Sequence, residues 1–374
     1  AYKKIRAKHP GQQQVFLDLR QFDLKGVERV DRYTYRVTIM GKYPQILYWM
    51  AMPFFAPIPV EADLFYAQEG MEEKNLNLHW YPVGTGPYML TENNPNLRMI
   101  LAKNPNFHIE KYPNEGMPDD RQAGMLDDAG KALPFIDRVV YSLEKESIPY
   151  WNKFLQGYFD SSGVNSESFD QVIHMGSQGD LNLSDDMRKK GISLATTVQA
   201  STYYMGINML DKTIGGYSER ARKLRQSIAI AVDYDEFITI FLNGRGITAQ
   251  GPLPPGIFGY QEGQNGVNPY VFDSVEAKPV RKSIDYARKL LAEAGYPNGV
   301  DEKTQKPLII NFETTGRGPE TKARLDWFRK QFQKINIQLV FRDTDYNRFQ
   351  EKMFHGDAQL FQWGWNADYP DPEN

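Results

Sequence analysis

The chain has 374 residues, enough for two or three domains, with 41% hydrophobic and 24% charged residues, a composition that excludes global disorder. A net charge of −3, with acids and bases interleaved, leaves no electrostatic footprint for nucleic acid. The absence of cysteine excludes disulfides, thiolate metal sites and a cysteine nucleophile, and suits an export route, although cytosolic proteins share that feature.

No run of eighteen apolar residues exists, so no segment is expected to span a membrane. The opening AYKKIRAKHPGQQQ carries no apolar core of a signal peptide, so the leader of an exported protein is expected outside this sequence. The first eighty residues read as β-rich with breaks. Tyr33 to Met40 alternates, with Tyr33, Tyr35, Val37 and Ile39 on one face. Residues 46–62 are apolar, but Pro53, Pro57 and Pro59 forbid a long helix. GTGPY (84–88) predicts a tight bend into the next strand, and it lacks the lysine and helix of a phosphate-binding loop. Residues 104–132, rich in Pro, Asn, Asp and Gly, predict a long surface excursion. Val139 to Ser147 reads as a strand running into a helix that ends near Gly157.

The second half is more regular. Ala221, Leu224, Ile228 and Ala231 share one helical stripe. Asp233 and Glu236 have capping-box spacing and start a helix that buries Phe237, Ile238 and Phe241 and stops at Asn243-Gly244. Ile284, Ala287, Leu291 and Ala294 mark another helix between Ser283 and Gly295. A strand at 308–314 follows, then a helix from Pro319 that buries Leu325, Phe328, Phe332 and Ile335. A strand at 337–341, a short helix over Tyr346, Phe349 and Met353 closed by Gly356, and a last strand at 358–363 complete the series. Such a βαβ series predicts parallel strands with right-handed crossovers.

Ligands of open α/β sheets bind outside the carboxyl ends of the strands. Gly364, Trp365 and Asp368 are expected just past the end of the last strand, and a glycine there lets a ligand approach the backbone. Trp363 is read as core, out of register with Trp365, and Asp371 as a turn acid. Tyr203 and Tyr204 point to opposite faces, so one of them at most reaches a cleft. Asn208, a polar residue ending a strand, either touches ligand or satisfies local backbone. The five histidines show no HxxxH or HExxH spacing and no GxSxG occurs, so neither a zinc hydrolase nor a Ser-His-Asp enzyme is expected. Asp127-Asp128 and Asp185-Asp186 read as solvated acids in polar loops rather than a catalytic pair.

GTGPY (84–88), KNPNFH (103–108), Asn208, ARKLRQSIAIAVD (221–233), YARKLLAEAGY (286–296) and GWNADYPDP (364–372) occur in an order that resembles the family 5 extracellular solute-binding proteins. These are the periplasmic oligopeptide- and dipeptide-binding components of ABC importers. Arg222, Arg225 and Ser227 depart from the family's helix pattern, and HMGSQGDLNLSDDM has no counterpart in it.

The resemblance implies a class II periplasmic-binding-protein-like α/β fold, two lobes with a subsidiary domain. The family is longer at both ends, so the sequence is expected to be incomplete. Residues 1–80 are assigned to a β-rich remainder of the subsidiary domain and first lobe, 81–200 to part of the first lobe, and 201–374 to part of the second. It implies peptide capture by lobe closure without covalent chemistry, cofactor or metal. Asp368 matches the acid that pairs with a peptide α-amino group, Trp365 a residue beside the peptide backbone, and Gly364 the same ligand-facing segment. Asn366, Asn208 and Tyr204 complete the candidate set. The implied partners are a peptide or other small solute and the permease subunits, with a monomeric, periplasmic or extracytoplasmic protein. Membrane association would come only through the permease or a lipid anchor outside this sequence. A sugar, an opine or a metal chelate is the alternative solute, and a hydrolase using paired carboxylates the second alternative.

Overall fold

The computed structural model describes residues 3, 7, 8, 25–144, 147–164, 166–175, 181–276, 278–316 and 319–374. The opening stretch therefore lies largely outside the described residues, as does the centre of HMGSQGDLNLSDDM. The chain divides into two compact units, Ala1–Ser162 and Gly163–Asn374.

In the first unit, the strand predicted over Tyr33 to Met40 shortens to three paired residues. β1 (Val27–Arg29) pairs antiparallel with β2 (Tyr35–Val37), and every one of the six is exposed. The apolar run that follows is broken by its prolines into α1 (Ile46–Ala51), a 3-10 turn at Pro53–Phe55 and α2 (Val60–Tyr66). So the described part of the first eighty residues carries little strand, contrary to the β-rich expectation. A three-stranded antiparallel sheet follows, built from β3 (Tyr88–Asn94), β4 (Arg98–Lys103) and β5 (Arg138–Ser142), and α3 (Ser147–Leu155) comes after it.

GTGPY and KNPNFH prove to be one device. Asn104 is buried; its amide donates to the Gly86 carbonyl at 2.9 Å, its backbone N–H donates to Pro87 O at 2.9 Å, and its Oδ1 accepts from the Asn106 N–H at 3.0 Å. The Lys103 ammonium donates to Pro134 O at 3.0 Å. The asparagine thus satisfies backbone groups of the bend leading into β3. Residues 104–132 form turns and irregular backbone, as their composition predicts, with a single bridge between Lys111 and Ala132 among the described residues.

The second unit holds the core. It opens on the short helix α4 (Phe169–Val172), the hairpin β6 (Ile173–Met175) and β7 (Leu181–Leu183), and α5 (Asp185–Lys189). Asp185 and Asp186 occupy the first turn of α5 and pair with Arg188 and Lys190, a solvated arrangement on a helix rather than in a loop. Next come β8 (Ser201–Ile207), α6 (Glu219–Ala231), α7 (Tyr234–Leu242), the hairpin β9 (Phe272–Val275) and β10 (Lys278–Arg281), and α8 (Ile284–Glu293). The chain closes with β11 (Ile309–Thr315), α9 (Pro319–Gln333), β12 (Gln338–Thr344), α10 (Tyr346–His355) and β13 (Leu360–Asn366).

Most of the helix stripes read from sequence bury. Ala221, Leu224, Ile228 and Ala231 on α6, Ala287 and Leu291 on α8 with Ala294 at its C-cap, and Phe328 and Phe332 on α9 join Phe312 and Leu360 among the buried residues of this unit. Ile284, Ile238, Phe241 and Leu325 are half-buried, and Leu290, outside the stripe read from sequence, is buried. The family departures in α6 have local reasons. The Ser227 hydroxyl, fully buried, donates to the Ala287 carbonyl of α8 at 2.7 Å, and Arg225 donates to Ile214 O and Gly216 O at 2.8 and 2.9 Å. The capping box at the start of α7 forms by half. Asp233 accepts from the N–H groups of Asp235 and Glu236, but Glu236 turns away to accept from Gln331 Nε2 at 3.0 Å.

At the end of α8, the YARKLLAEAGY signature closes on Arg220. The guanidinium lies 4.6 Å from the Tyr296 ring centre, donates to Ala294 O at 2.7 Å and pairs with Asp301 at 2.8 Å. Asp301 also accepts the backbone N–H groups of Lys303 and Thr304, each at 2.9 Å. The Thr304 N–H above all, helped by Arg220, holds the Asp301 carboxyl below the usual carboxylate range, against the opposing effect of burial. A depressed folded value contributes stability that is fully present above the unfolded pKa of about 3.9 and lost as pH falls through the folded one. Asp301→Asn is therefore expected to flatten the acid side of the stability profile, read as the urea midpoint from about pH 5 downward. Parallel profiles for the two proteins would refute this role.

Candidate ligand-binding site

The sheet that carries the candidate residues has the order β12-β11-β13-β8. β11 runs parallel to both β12 and β13, as the βαβ series predicts, whereas β8 runs antiparallel to β13. That reversal decides which residues meet. Thr315, Thr344 and Asn366 end their strands at one edge, and Ser201, which begins β8, sits there opposite Asn366.

Asn208 follows the other end of β8, seven residues along the strand, which at the rise of a β-strand is roughly 20 Å from that edge. Its side chain is taken up there. The amide donates to Gly356 O at 2.9 Å and Ala358 O at 2.8 Å, and Oδ1 accepts the Leu210 N–H at 3.0 Å. Of the two roles open to Asn208, the local one is what its geometry supports.

β13 is longer than the sequence pattern suggests. Antiparallel pairing with β8 continues to Asn366↔Ser201, and the Ala367 N–H still donates to Ala200 O at 2.9 Å. Gly364 and Trp365 therefore belong to the strand and are not beyond it. Trp363 and Trp365, two residues apart, share a face, because side chains alternate with period two; the out-of-register expectation is corrected. Trp363 packs edge-on against Phe349 of α10 with ring centres 5.3 Å apart. Trp365 is 54% exposed.

The two faces are told apart by their partners. Met205 and Ile207 of β8 and Leu360 of β13 face the core. Tyr203 and Gly364, directly opposite each other, continue that face towards the edge. A Cβ on Gly364 would lie 2.5 Å from the Tyr203 ring. The glycine thus admits an aromatic ring rather than a ligand, which corrects its expected purpose. On the other face, Tyr204 lies opposite Trp363 and diagonal to Trp365, within the reach of cross-strand aromatic neighbours. α10 covers part of this face through Phe349 and through Lys352, which pairs with the buried carboxylate of Glu313. Tyr203 and Tyr204 do point to opposite faces, and both are exposed, at 69% and 41%.

Beyond the strand, Asp368 is exposed, and among the described residues no side chain or backbone group pairs with its carboxylate. Its backbone N–H donates to Asn374 Oδ1 at 2.8 Å. The neighbouring acid behaves differently. Asp371 Oδ1 accepts the Glu373 N–H at 2.9 Å, a turn role as predicted. Asn366 Oδ1 accepts from the Ser201 hydroxyl at 2.6 Å, which binds the strand end to its neighbour. At the same edge, the Thr314 and Thr344 hydroxyls are buried without a hydrogen-bond partner among the described residues. Ser201, Thr314, Thr344 and Asn374 were not read from the sequence. The antiparallel register brings Ser201 opposite Asn366, the parallel pairing sets Thr314 and Thr344 at the carboxyl edge, and a closed loop returns Asn374 to Trp365 and Asp368, none of which a local pattern shows.

Chemically, the end of β13 offers the Asp368 carboxylate, unpaired among the described residues, an indole face and an exposed tyrosine. That combination suits an ammonium attached to a flat or extended backbone. Among the described residues, no group of three or more His, Asp or Glu is placed to hold a metal ion. No described helix is long and apolar enough to cross a membrane.

The profile of the bacterial extracellular solute-binding proteins, family 5 Middle, matches residues 1–374. Heme-binding protein A of Haemophilus influenzae is 23% identical over 94% of this chain and 53% of its own length. The dipeptide-binding protein of Escherichia coli is 22% identical over 93% of this chain and 54% of its own. The chain thus spans about half the length of these curated relatives. Among solved structures, the oligopeptide-binding protein AppA from Bacillus subtilis, in complex with a nonapeptide, superposes with a TM-score of 0.65 at 18% identity, covering 93% of this chain and 60% of that one. The DppA protein of Helicobacter pylori, in complex with the peptide STSA, gives 0.64 at 20% identity, covering 93% and 55%. These likenesses establish the class II periplasmic peptide-binding fold. The chain belongs to the bacterial extracellular solute-binding proteins, family 5, a family of transport components defined by solute binding rather than by catalysis.

Proposed function

We propose that this chain forms part of the solute-capturing component of an ABC importer, and that its solute is a peptide held by its α-amino group. The observation that carries the reading is the exposed Asp368 carboxylate, unpaired among the described residues, just past the carboxyl end of β13, which carries the half-exposed Trp365 indole. A carboxylate with no partner among the described residues has no existing pair there to break when an ammonium arrives. Backbone-directed contacts then tolerate varied side chains, because they ask only for an amino terminus and an extended main chain.

Residues 201–374 are assigned to the second lobe and 81–200 to the first, with Asp368, Trp365 and Tyr204 facing the solute and Gly364 and Asn366 shaping the strand beneath it. Capture proceeds by lobe closure and release by opening, without covalent chemistry or a cofactor. The working protein is an extracytoplasmic monomer that meets the membrane through its permease or a lipid anchor. Relatives named for dipeptides, di- and tripeptides and oligopeptides support the peptide reading. The likeness to Heme-binding protein A makes a planar metal chelate the second reading.

Isothermal titration of the whole protein with a panel from dipeptides to nonapeptides, and separately with hemin, tests the assignment. Saturable peptide binding with the peptide recovered intact supports it. Binding of hemin alone overturns the peptide reading, and a cleaved peptide overturns the non-enzymatic one.

A further inference from the structure

We propose that Asn374 is a positioning residue of this site, a clip that sets the Trp365 indole and the Asp368 backbone for the solute. This rests on the reading that Trp365 and Asp368 face the solute. The Asn374 Oδ1 atom accepts two hydrogen bonds at once, from the Trp365 indole N–H at 3.0 Å and from the Asp368 backbone N–H at 2.8 Å. The loop between is folded so that this can happen. Asp371 N–H donates to Tyr369 O at 2.8 Å, Asn374 N–H donates to Asp371 O at 3.1 Å, and the Tyr369 side chain is buried as the anchor.

The chemistry of the clip is specific. An indole has a single donor, so bonding it fixes the ring about the bond that a half-exposed tryptophan would otherwise turn freely. An amide oxygen has two lone pairs, and here both are used on groups that belong to different parts of the candidate site. One side chain therefore couples the flat wall to the backbone that presents the acid. The carboxylate itself is left out of the network, so the clip orients the acid without occupying it. Holding the ring and the loop before the solute arrives removes an ordering cost that the unclipped protein would meet on binding.

The test uses the whole protein with a free-amino dipeptide, 5-fluorotryptophan labelling, and the variants Asn374→Leu, Asn374→Asp and Asp368→Asn. The Trp365 fluorine resonance is assigned with Trp365→Phe. Asn374→Leu is expected to lose about tenfold in affinity and to move the Trp365 resonance in the solute-free protein, since the indole N–H loses its acceptor. Asn374→Asp keeps an acceptor oxygen and is expected to restore both.

Three outcomes would overturn the clip. One is Asn374→Leu binding within about twofold of the parent. Another is a Trp365 resonance that does not move while the melting temperature falls, which is the signature of a loop brace alone. The third is failure of Asn374→Asp to restore the resonance. If Asp368→Asn binds like the parent while Asn374→Leu is weakened and its Trp365 resonance moved, the amine-pairing reading falls and the clip stands through Trp365.

Discussion

Asp368→Asn is expected to weaken binding of a peptide with a free amino terminus by roughly 10- to 100-fold, the range of a hydrogen bond to a charged group. The substitution keeps the size and the backbone N–H, so the bond to Asn374 Oδ1 survives and the loop keeps its shape. What is lost is the negative charge, and with it the charge-assisted bond that the proposed site would make to an ammonium. The same peptide acetylated at its amino terminus supplies the internal control. The parent should bind it poorly, and the variant should show no further loss. Titration calorimetry of the four combinations gives the coupling directly. Equal affinity of parent and variant for the free-amino peptide would remove Asp368 from the site.

The second large effect is on stability. Phe312→Ala is expected to destabilise the second unit by about 3–5 kcal/mol, the usual cost of emptying a buried aromatic site. Phe312 is fully buried at the centre of β11, with its ring 5.3 Å from that of Phe328 in α9 and 5.7 Å from that of Phe341 in β12. It lies in register with Phe341 on one side and Leu360 on the other, so the cavity would open under the middle of the sheet. Urea denaturation should show a clearly lower midpoint with little change in slope, and Phe312→Leu should recover much of the loss. Because β11 pairs with β13, solute binding should also fall in conditions where Phe312→Ala is partly unfolded, and only there. An unchanged midpoint would mean that this ring is not part of the cooperative core.

The helices from α6 to α10 were legible because each carries its own instructions, whereas the short α4 and α5 were not read. Ser283 accepts from the Tyr286 N–H as an N-cap, Asn243 takes a left-handed φ of 51° to end α7, and Gly356 does the same at 74° for α10. These caps act within a turn of their own residue, so a linear reading finds them. The parallel pairing of β11 with β12 and β13 was legible for a related reason, since a helical crossover leaves little other choice. Around the first unit the linear reading was weaker. Tyr33 to Met40 alternates like a strand, yet only Tyr35–Val37 pairs, because pairing depends on a partner that the pattern does not specify.

The sequence by itself determined the helices from α6 to α10, the parallel direction of β11, β12 and β13, the family signature and the candidacy of Trp365 and Asp368. Each of these rests on contacts between near neighbours or on residue chemistry. Only the tertiary structure decided that β8 runs antiparallel to β13. That one long-range pairing extends β13 to Asn366, places Trp363 and Trp365 on one face, lays Tyr203 over Gly364 and leaves Asn208 at the far end. It joins residues more than 150 positions apart in sequence, such as Ser201 and Asn366 at 165, and periodicity within a strand carries no information about its neighbour's direction.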